Sequence, residues 1–422
     1  MDDQHPVRLV VRDDLHRNRL TVFFRLILAI PLIIWGFLWT IAVIVAAIVN
    51  WVVTLVAGRP GAGLHRFMCS YIRFTVHFDS YLWLVGNPYP GFVGEEGEYP
   101  VDVKLPEPTA QARWSVFFRL FLALPSIAMS SALGGGGSAN YSSGNGRKSY
   151  GGGGALGLVV AVLGWFSSLV RGRMPKGLRD AGAYSIGYSA QMLSYLLLVT
   201  DRYPNADPTA MLEGVDRPRE HPVHLVGDPH DLRRSRVTVF FRLLLAIPHL
   251  IWLFLWAIAV FFAVIGNWFV TLFAGTPSRP LHRFTCAYLR QSLHVLAFLS
   301  LTTNPFPGFV GEFGHYPLDL ELPEPARQNR WKTFFRLFLT IPASLVRSAL
   351  FGALLWCAVL TWFYALARGS APWGLRNLAA YALRYDAQTG AYFLLVTDAY
   401  PHASPLEGAP TPQHEFAEAA AA

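Results

Sequence analysis

The chain has 422 residues, of which 53% are hydrophobic and 15% are charged, against roughly 25% charged in an average soluble domain. The apolar residues are clustered, since residues 20–57 contain one charge, Arg25, and residues 237–274 contain only Arg242. Apolar tracts longer than about 18 residues predict membrane-embedded helices and argue against a soluble protein. The net charge of +8 comes from basic residues that flank these tracts, which suits an anionic membrane surface and not nucleic acid.

The amino-terminal region predicts a retained membrane segment. The first apolar tract is too long for a cleavable signal peptide and lacks a small-residue cleavage site. Further along the chain, the three cysteines, Cys69, Cys286 and Cys357, have neither a disulfide framework nor metal-ligand spacing. We expect them to be small buried residues. The 13 histidines show no metal spacing either, so the sequence predicts no metal and no cofactor.

One signature occurs four times along the chain, and it consists of two arginines and a proline at intervals of six residues. The second arginine always closes the sequence Phe-Phe-Arg-Leu. The copies are Arg19-Arg25-Pro31, Arg113-Arg119-Pro125, Arg236-Arg242-Pro248 and Arg330-Arg336-Pro342. Regular internal repetition of this kind predicts an architecture of tandem repeats.

The repeats have similar beginnings and ends. Each opens on a short segment with strand-like alternation, such as residues 101–105, and each apolar tract closes on a Trp followed seven residues later by a Gly, as in Trp51 and Gly58. We place repeat 1 at residues 1–98, repeat 2 at 99–212, repeat 3 at 213–315 and repeat 4 at 316–404. Residues 405–422 are predicted to be a disordered tail.

A Gly/Ser-rich insertion at about residues 134–154 lengthens the apolar tract of repeat 2. A polar loop cannot lie in hydrocarbon, so its insertion point is expected at a membrane surface. The corresponding point in repeat 1 is near Trp39 and Thr40. The sequence therefore predicts that each tract is a hairpin of two short helices, near residues 20–39 and 41–57 in repeat 1.

A third helix follows each tract, at residues 64–85 in repeat 1. Its polar residues fall on one side at helical spacing, which is typical of a helix in the membrane interface. An even number of spans per repeat puts every arginine cluster on the same side. The predicted fold is an all-α integral membrane protein of four parallel repeats, each with a β-segment, a two-helix hairpin and an interfacial helix. This gives about eight spans and cytoplasmic termini, with four or twelve spans as alternatives.

These features resemble the bacterial family called domain of unknown function 4389. The family pattern has an aromatic-Arg-Leu helix start, an Ile-Pro step, an apolar tract ending in Trp or Phe, and a closing Asp-x-Tyr-Pro. Phe23-Phe24-Arg25-Leu26, residues 201–204 and residues 398–401 match it, whereas Asn87 and Asn304 replace the usual Asp. The resemblance implies a multi-pass protein of the bacterial cytoplasmic membrane and implies no activity.

Two sets of residues are candidate contacts for lipid or anions. The inner arginines of the signature are intramembrane charges, which are functional candidates, although fourfold repetition favours a structural side chain that reaches back to lipid phosphates. The polar side of the third helix could bind anionic headgroups or could simply be solvated. The candidates are Arg25, Arg119, Arg242 and Arg336 in the first set, and Arg66, Arg73, His77, Arg283, Arg290 and His294 in the second.

No phosphate loop, nucleophile elbow or paired-carboxylate arrangement is apparent, so we expect a protein that is not an enzyme. The leading hypothesis is a membrane scaffold or accessory protein that contacts anionic phospholipid or another membrane protein. A transporter or channel component is the alternative. It would need polar groups at the bilayer midplane, and the tracts supply few beyond Asn50 and Asn267.

Overall fold

The computed structural model describes residues 5–134, 156–218, 220–227 and 232–406. Most of the Gly/Ser-rich insertion and nearly all of the expected disordered tail lie outside these residues. The chain forms two compact units, Met1–Asp216 and Arg217–Ala422. Each unit contains two repeats.

Unit 1 contains seven of the described helices and three short strands. Repeat 1 contributes β1 (Arg8–Val11), α1 (Arg19–Phe23), α2 (Arg25–Ala57) and α3 (Ala62–Leu82). Repeat 2 contributes β2 (Val101–Lys104), α4 (Arg113–Phe117), α5 (Arg119–Gly134), α6 (Leu156–Arg171), α7 (Lys176–Leu196) and β3 (Leu212–Glu213).

Unit 2 repeats this order with fewer interruptions. Repeat 3 contributes β4 (His224–Gly227), α8 (Arg236–Ala274) and α9 (Arg279–Leu299). Repeat 4 contributes β5 (Leu318–Glu321), α10 (Arg330–Phe334), α11 (Arg336–Arg368) and α12 (Trp373–Phe393).

The predicted two-helix hairpins are wrong for repeats 1, 3 and 4, where one helix runs through the predicted turn to the end of the apolar tract. α8 alone has 39 residues, which at ~1.5 Å per residue is about 58 Å of helix. No insertion like the Gly/Ser-rich stretch of repeat 2 interrupts these tracts, so the backbone hydrogen bonds continue. The helices end where predicted, at Gly58, Gly275 and Gly369, whose φ values of 74°, 80° and 70° are left-handed.

Only three described helices, α2, α8 and α11, are long and apolar enough to cross a membrane. The eight predicted spans are therefore not found. In repeat 2, α5 and α6 are shorter apolar helices on either side of the insertion. The inference from the insertion point thus applies to repeat 2 alone, because an inserted loop can divide a helix that its counterparts keep whole.

The repeats within a unit are antiparallel, so the prediction of parallel repeats is also wrong. In unit 2, Arg236 at the start of α8 donates to the carbonyl of Ala367 at the end of α11 at 3.0 Å. Reciprocally, Arg330, before α11, donates to Phe273 O at the end of α8 at 2.9 Å. Each long helix therefore begins beside the end of the other. Unit 1 has the same two contacts, from Arg19 to Val170 O and from Arg113 to Val56 O.

The short strands pair within each unit, as an isolated strand would not be stable. In unit 1, β1 pairs antiparallel with β2 and parallel with β3. In unit 2, β4 pairs antiparallel with β5, with Leu225 opposite Leu320. These segments hold the linkers between repeats against the third helices, and they confirm the strand-like reading of the alternating residues.

The third helices form the interior of each unit, which corrects their predicted interfacial position. α3 packs against both α2 and α7, and α9 packs against both α8 and α12. Most residues of α7 and α12 are buried, including Tyr184, Gln191, Tyr385 and Gln388. The polar side of α3 and α9 is mostly covered by the strands and linkers of the same unit, because their polar residues find hydrogen-bond partners there.

Candidate functional site

The four inner arginines are buried, and each caps the third helix of its own repeat. Arg25, Arg119, Arg242 and Arg336 are each 2% exposed. Arg25 Nη2 donates to the carbonyls of Gly86 and Asn87, both at 3.1 Å, just beyond the end of α3. Arg242 Nη1 donates to Phe298 O and to Thr303 O at the end of α9. A cation at a helix carboxyl terminus satisfies free carbonyls and complements the helix dipole.

Each inner guanidinium also lies over an aromatic ring on the last turn of that third helix. The distance from guanidinium carbon to ring centroid is 4.2 Å for Arg25 over Tyr81 and 4.1 Å for Arg119 over Tyr195. It is 4.3 Å for Arg242 over Phe298 and 4.5 Å for Arg336 over Tyr392. Cation–π contact of this kind stabilises a buried arginine without a counter-ion.

The outer arginines cap helices too, but in the other repeat of the same unit. Arg19, Arg113, Arg236 and Arg330 donate to carbonyls in the last turns of α6, α2, α11 and α8. The Trp that closes each apolar tract reciprocates: Trp362 Nε1, for example, donates to Val239 O in the first turns of α8 at 3.0 Å. All eight arginines of the signature thus cap helices within their own unit, a structural role that suits their fourfold repetition. The inner four are buried on helix carbonyls, which differs from the predicted reach to lipid phosphates.

The even-numbered repeats add an acid and an amide to each inner arginine. Arg119 Nη2 contacts Gln111 Oε1 at 2.6 Å and Asp201 Oδ1 at 3.0 Å. Arg336 Nη2 contacts Gln328 Oε1 at 2.8 Å and Asp398 Oδ1 at 3.1 Å. These acids belong to the closing Asp-x-Tyr-Pro turns at residues 201–204 and 398–401.

The odd-numbered repeats lack this acid. Asn87 and Asn304 stand at its position, and arginines replace the glutamine. One of these, Arg17, donates to Leu84 O at 2.8 Å and pairs with Asp13 at 2.6 Å. Arg25 Nε and Nη1 and Arg242 Nε and Nη2 are buried without a hydrogen-bond partner among the described residues. Two of the four inner arginines therefore keep buried N–H groups beside aromatic rings and no carboxylate.

Two candidates on the polar side of the third helices, His77 and His294, face acids of the sheet. His77 Nε2 lies 3.2 Å from Asp102 Oδ1 on β2, and His294 Nε2 lies 3.0 Å from Asp319 Oδ1 on β5. Burial acts to raise the pKa of both carboxyls, but hydrogen bonds from the histidine and from two backbone N–H groups outweigh it and lower the pKa. These two histidines are therefore internal.

The arginines on the polar side of the third helices divide into those with partners inside the unit and those that are exposed. Arg73 pairs with Glu96 at 2.6 Å, and Arg290 donates to Leu320 O at 2.9 Å and lies over Phe313. Arg66 and Arg283, by contrast, are exposed and have no partner within the described part of the chain. Of the third-helix candidates, only these two cations are free to meet an external anion.

Several polar residues were missed or only partly anticipated. Asn50 Nδ2 donates to Leu197 O at 3.3 Å, and Asn267 Oδ1 accepts from Ser278 N at 2.9 Å, so both tie the long helix to a terminus of a third helix. Asp79 on α3 has no ion pair or hydrogen bond to its carboxyl within the described residues, and burial raises its pKa to about 7. The available signal was that Asp79 is the single acid on α3.

The cysteines are buried, and Cys69 and Cys286 lie 3.6 and 3.5 Å from Nδ1 of His65 and His282. Burial raises the pKa of Cys69 to about 11 and that of Cys286 to about 12, which keeps both thiols protonated. No group of three His, Cys, Asp or Glu side chains that could hold a metal ion occurs within the described residues.

Comparison with known proteins adds a family and no activity. No curated protein matches the chain, and no solved structure does. A family sequence model described as "Domain of unknown function (DUF4389)" matches residues 19–93, 153–206, 236–310 and 330–404. Each match begins at or inside one copy of the repeat, so the resemblance seen in the residues is confirmed. The chain belongs to this family of unknown function and carries four tandem copies of its domain.

Proposed function

We propose that the chain is a non-enzymatic scaffold or accessory protein of the bacterial cytoplasmic membrane, with its long helices lying along one leaflet and its free arginines on anionic headgroups. The polar residues singled out above act mainly as helix caps and internal ion pairs, which is the behaviour of a structural framework. The exposed surface of the long helices supports the membrane location, and the linkers support the orientation.

Apolar side chains are exposed along the whole length of the long helices. On α8, Leu243 near the start, Phe254 at mid-length and Phe273 at the end are 74%, 67% and 74% exposed. On α2, Leu26, Phe37 and Val56 are 71%, 67% and 72% exposed. Continuous apolar surface of this extent marks contact with lipid or with another protein. The three apolar helices suggest a membrane protein, and lipid is the partner that suits a surface without polar interruptions.

The observation that carries the orientation is a charged linker in unit 2 that runs the full length of α8. Thr303 O accepts a hydrogen bond from Arg242 at the start of α8, and Gln328 N donates to Gly275 O at its end. Midway, Trp252 Nε1 donates to Phe309 O at 2.8 Å. Between these contacts the linker exposes three glutamates, which are Glu312, Glu321 and Glu324.

Unit 1 has the same arrangement beside α2. Asn87 O accepts from Arg25 at the start of α2, and Gln111 N donates to Gly58 O at its end. Gly94, with φ 67°, lies so close to α3 that a Cβ would be 2.3 Å from the carbonyl oxygen of Ser70. The exposed acids Glu95, Glu96 and Glu98 follow directly. The linker is therefore fixed against the third helix at mid-length of the unit.

If α2 and α8 crossed a bilayer, these linkers would cross it with them. Exposed carboxylates and extended backbone would then lie in hydrocarbon, where unsatisfied polar groups and charges are costly. Helices of about 50–58 Å also exceed the ~30 Å hydrocarbon core. Both difficulties disappear when the long helices lie in the plane of one leaflet and the linkers face water. This arrangement offers no path across the bilayer, so it favours a scaffold over a transporter.

Cysteine labelling tests the orientation of α8. The background replaces the three native cysteines with alanine, and single reporters are Ser235→Cys before α8, Thr276→Cys after it and His315→Cys on the linker. In sealed vesicles of either orientation, we expect an impermeant maleimide to label all three reporters from the same side. Labelling of Ser235→Cys and Thr276→Cys from opposite sides would overturn the proposal.

Two controls accompany this experiment. Phe254→Cys, at mid-length on α8, should be protected from the maleimide until detergent is added. Carbonate extraction should leave the protein in the membrane fraction. Solute flux into liposomes that depends on Asn50 and Asn267 would instead support the transporter alternative.

A further inference from the structure

A cavity of about 500 Å³ in unit 2 separates the start of α8 from the end of α9 and the second half of α11. Its wall is apolar except at Arg242 and Ser300, and both of these residues are buried. Leu301 and Leu354 form buried parts of the wall, whereas Leu243, Leu355 and Phe363 are 74%, 59% and 63% exposed. The cavity therefore opens on the apolar surface of the long helices.

Unit 1 fills the corresponding space with its own side chain. Ser300 corresponds to Trp83, 217 residues earlier, and Leu354 corresponds to Gly157 in the copy of the apolar tract that ends at Trp165. The Trp83 indole lies directly on Gly157, where a Cβ would be 2.6 Å from Trp83 Cη2. In unit 2 this Trp/Gly pair is exchanged for Ser300 and Leu354, and both of these residues line the open cavity.

We propose that the cavity of unit 2 binds one hydrocarbon chain of a membrane lipid, which enters sideways from the leaflet. The inference rests on the proposed membrane location. The volume lies within the ~300–1,000 Å³ of small-molecule sites, and apolar walls of this kind do not hold ordered water. An acyl chain restores the dispersion contacts that Trp83 supplies in unit 1.

The contacts of Arg242, the one charged group on the wall, indicate that the occupant is the acyl chain of the lipid and not its headgroup. Arg242 Nη1 is engaged by two backbone carbonyls, Phe298 O and Thr303 O, and its guanidinium covers the Phe298 ring. Its other nitrogens are shielded from solvent. The wall therefore presents hydrocarbon to a ligand, and a phosphate would find no accessible cation there.

Photo-crosslinking tests this site in the full-length protein in liposomes. The probe is a phosphatidylcholine with a diazirine at the middle of one acyl chain, and peptide mass spectrometry locates the adducts. We expect adducts at Leu296, Leu299 and Ala358. Ser300→Trp should reduce these at least tenfold while adducts at the surface residue Phe254 stay unchanged.

The reverse exchange in unit 1 is the matched variant. Trp83→Ser should create new adducts on the corresponding wall, at Leu158 and Ala161, with unit 2 unaffected. Undiminished cavity adducts in Ser300→Trp, or no new adducts in Trp83→Ser, would overturn the proposal. Loss of all adducts, including those at Phe254, together with extraction by carbonate, would instead refute the membrane location on which the inference rests.

Discussion

Buried arginines dominate the chemistry of this chain, and their role illustrates what a sequence can reveal at the scale of residues. The fourfold signature identified all eight arginines and favoured a structural role. It could not identify their partners, because the inner arginines bind carbonyls 56 to 81 residues further along the chain, as Arg25 does at Gly86. The acceptors are backbone atoms, which carry no sequence signal.

The caps predict unequal costs for the two arginines of one signature. Arg336→Met should lower the free energy of unfolding by about 3 kcal/mol or more, since it leaves Asp398 and the carbonyls of Tyr392 and Thr397 without their buried donor. Arg330→Met, at an exposed cap, should cost about 0.5–1 kcal/mol. Thermal unfolding in detergent measures both. Equal losses would contradict the distinction between buried and exposed caps.

Asp79 gives the fold a pH dependence. Its pKa is raised from 3.8 to about 7 by burial, so the folded state binds this proton more tightly than the unfolded state does. Its ionisation therefore destabilises the fold progressively as pH rises from about 4 through 7. We expect the unfolding temperature of the wild type to fall relative to that of Asp79→Asn across this range. A constant difference between the two proteins at pH 4.5, 6 and 8 would refute this assignment.

At the scale of elements, the composition predicted the position of every long helix and of every helix-ending glycine. It did not predict whether each apolar tract continues as one helix or folds back. The Gly/Ser insertion of repeat 2 suggested a fold at Trp39 and Thr40 that α2 does not have. Whether a long apolar tract folds back or continues depends on its tertiary partners. Here Trp39 packs against Phe67, Tyr71 and Phe74 of a single returning helix.

Thr40→Pro distinguishes a continuous helix from a hairpin. In a continuous α2, proline removes the Thr40 N–H from the helix ladder and clashes with the preceding turn, at a cost of about 3 kcal/mol or more. At a hairpin turn the same change would be nearly neutral. Thr40→Ala is the control, because it also loses the hydroxyl contacts to Gly36 O and Tyr71. Chemical unfolding in detergent should show a large loss for the proline variant alone.

The antiparallel orientation of the repeats could not be predicted from the sequence for a related reason. Positive residues lie at both ends of every long helix, as Arg236 and Arg279 do for α8, so a charge rule built for spans favoured parallel repeats. Reciprocal capping between Arg236 and Ala367 and between Arg330 and Phe273 reverses that conclusion. Basic residues at both ends suit a helix whose two ends meet the same membrane surface.

At the scale of the whole molecule, the separation of free from internal arginines predicts how the chain responds to lipid charge. Arg66→Gln with Arg283→Gln removes two exposed cations without protein partners in the described structure. Each basic residue near an anionic surface contributes about 1 kcal/mol to binding. The double substitution should therefore lower the affinity for anionic liposomes about thirtyfold. Binding to neutral liposomes should be unchanged, because the apolar surface of the long helices remains.

The matched control is Arg73→Gln with Arg290→Gln, whose guanidinium groups are engaged by Glu96 and by Leu320 O. This pair should lower thermal stability while leaving the dependence on anionic lipid within about threefold of the wild type. Raising the ionic strength from 0.1 to 1 M shortens the Debye length from ~10 to ~3 Å and should abolish the difference between wild type and Arg66→Gln/Arg283→Gln. If the control pair weakens anionic-lipid binding as much as the exposed pair does, Arg66 and Arg283 are not the headgroup contacts. Liposome flotation at graded phosphatidylglycerol content compares the wild type, the two double variants and the variant that combines them.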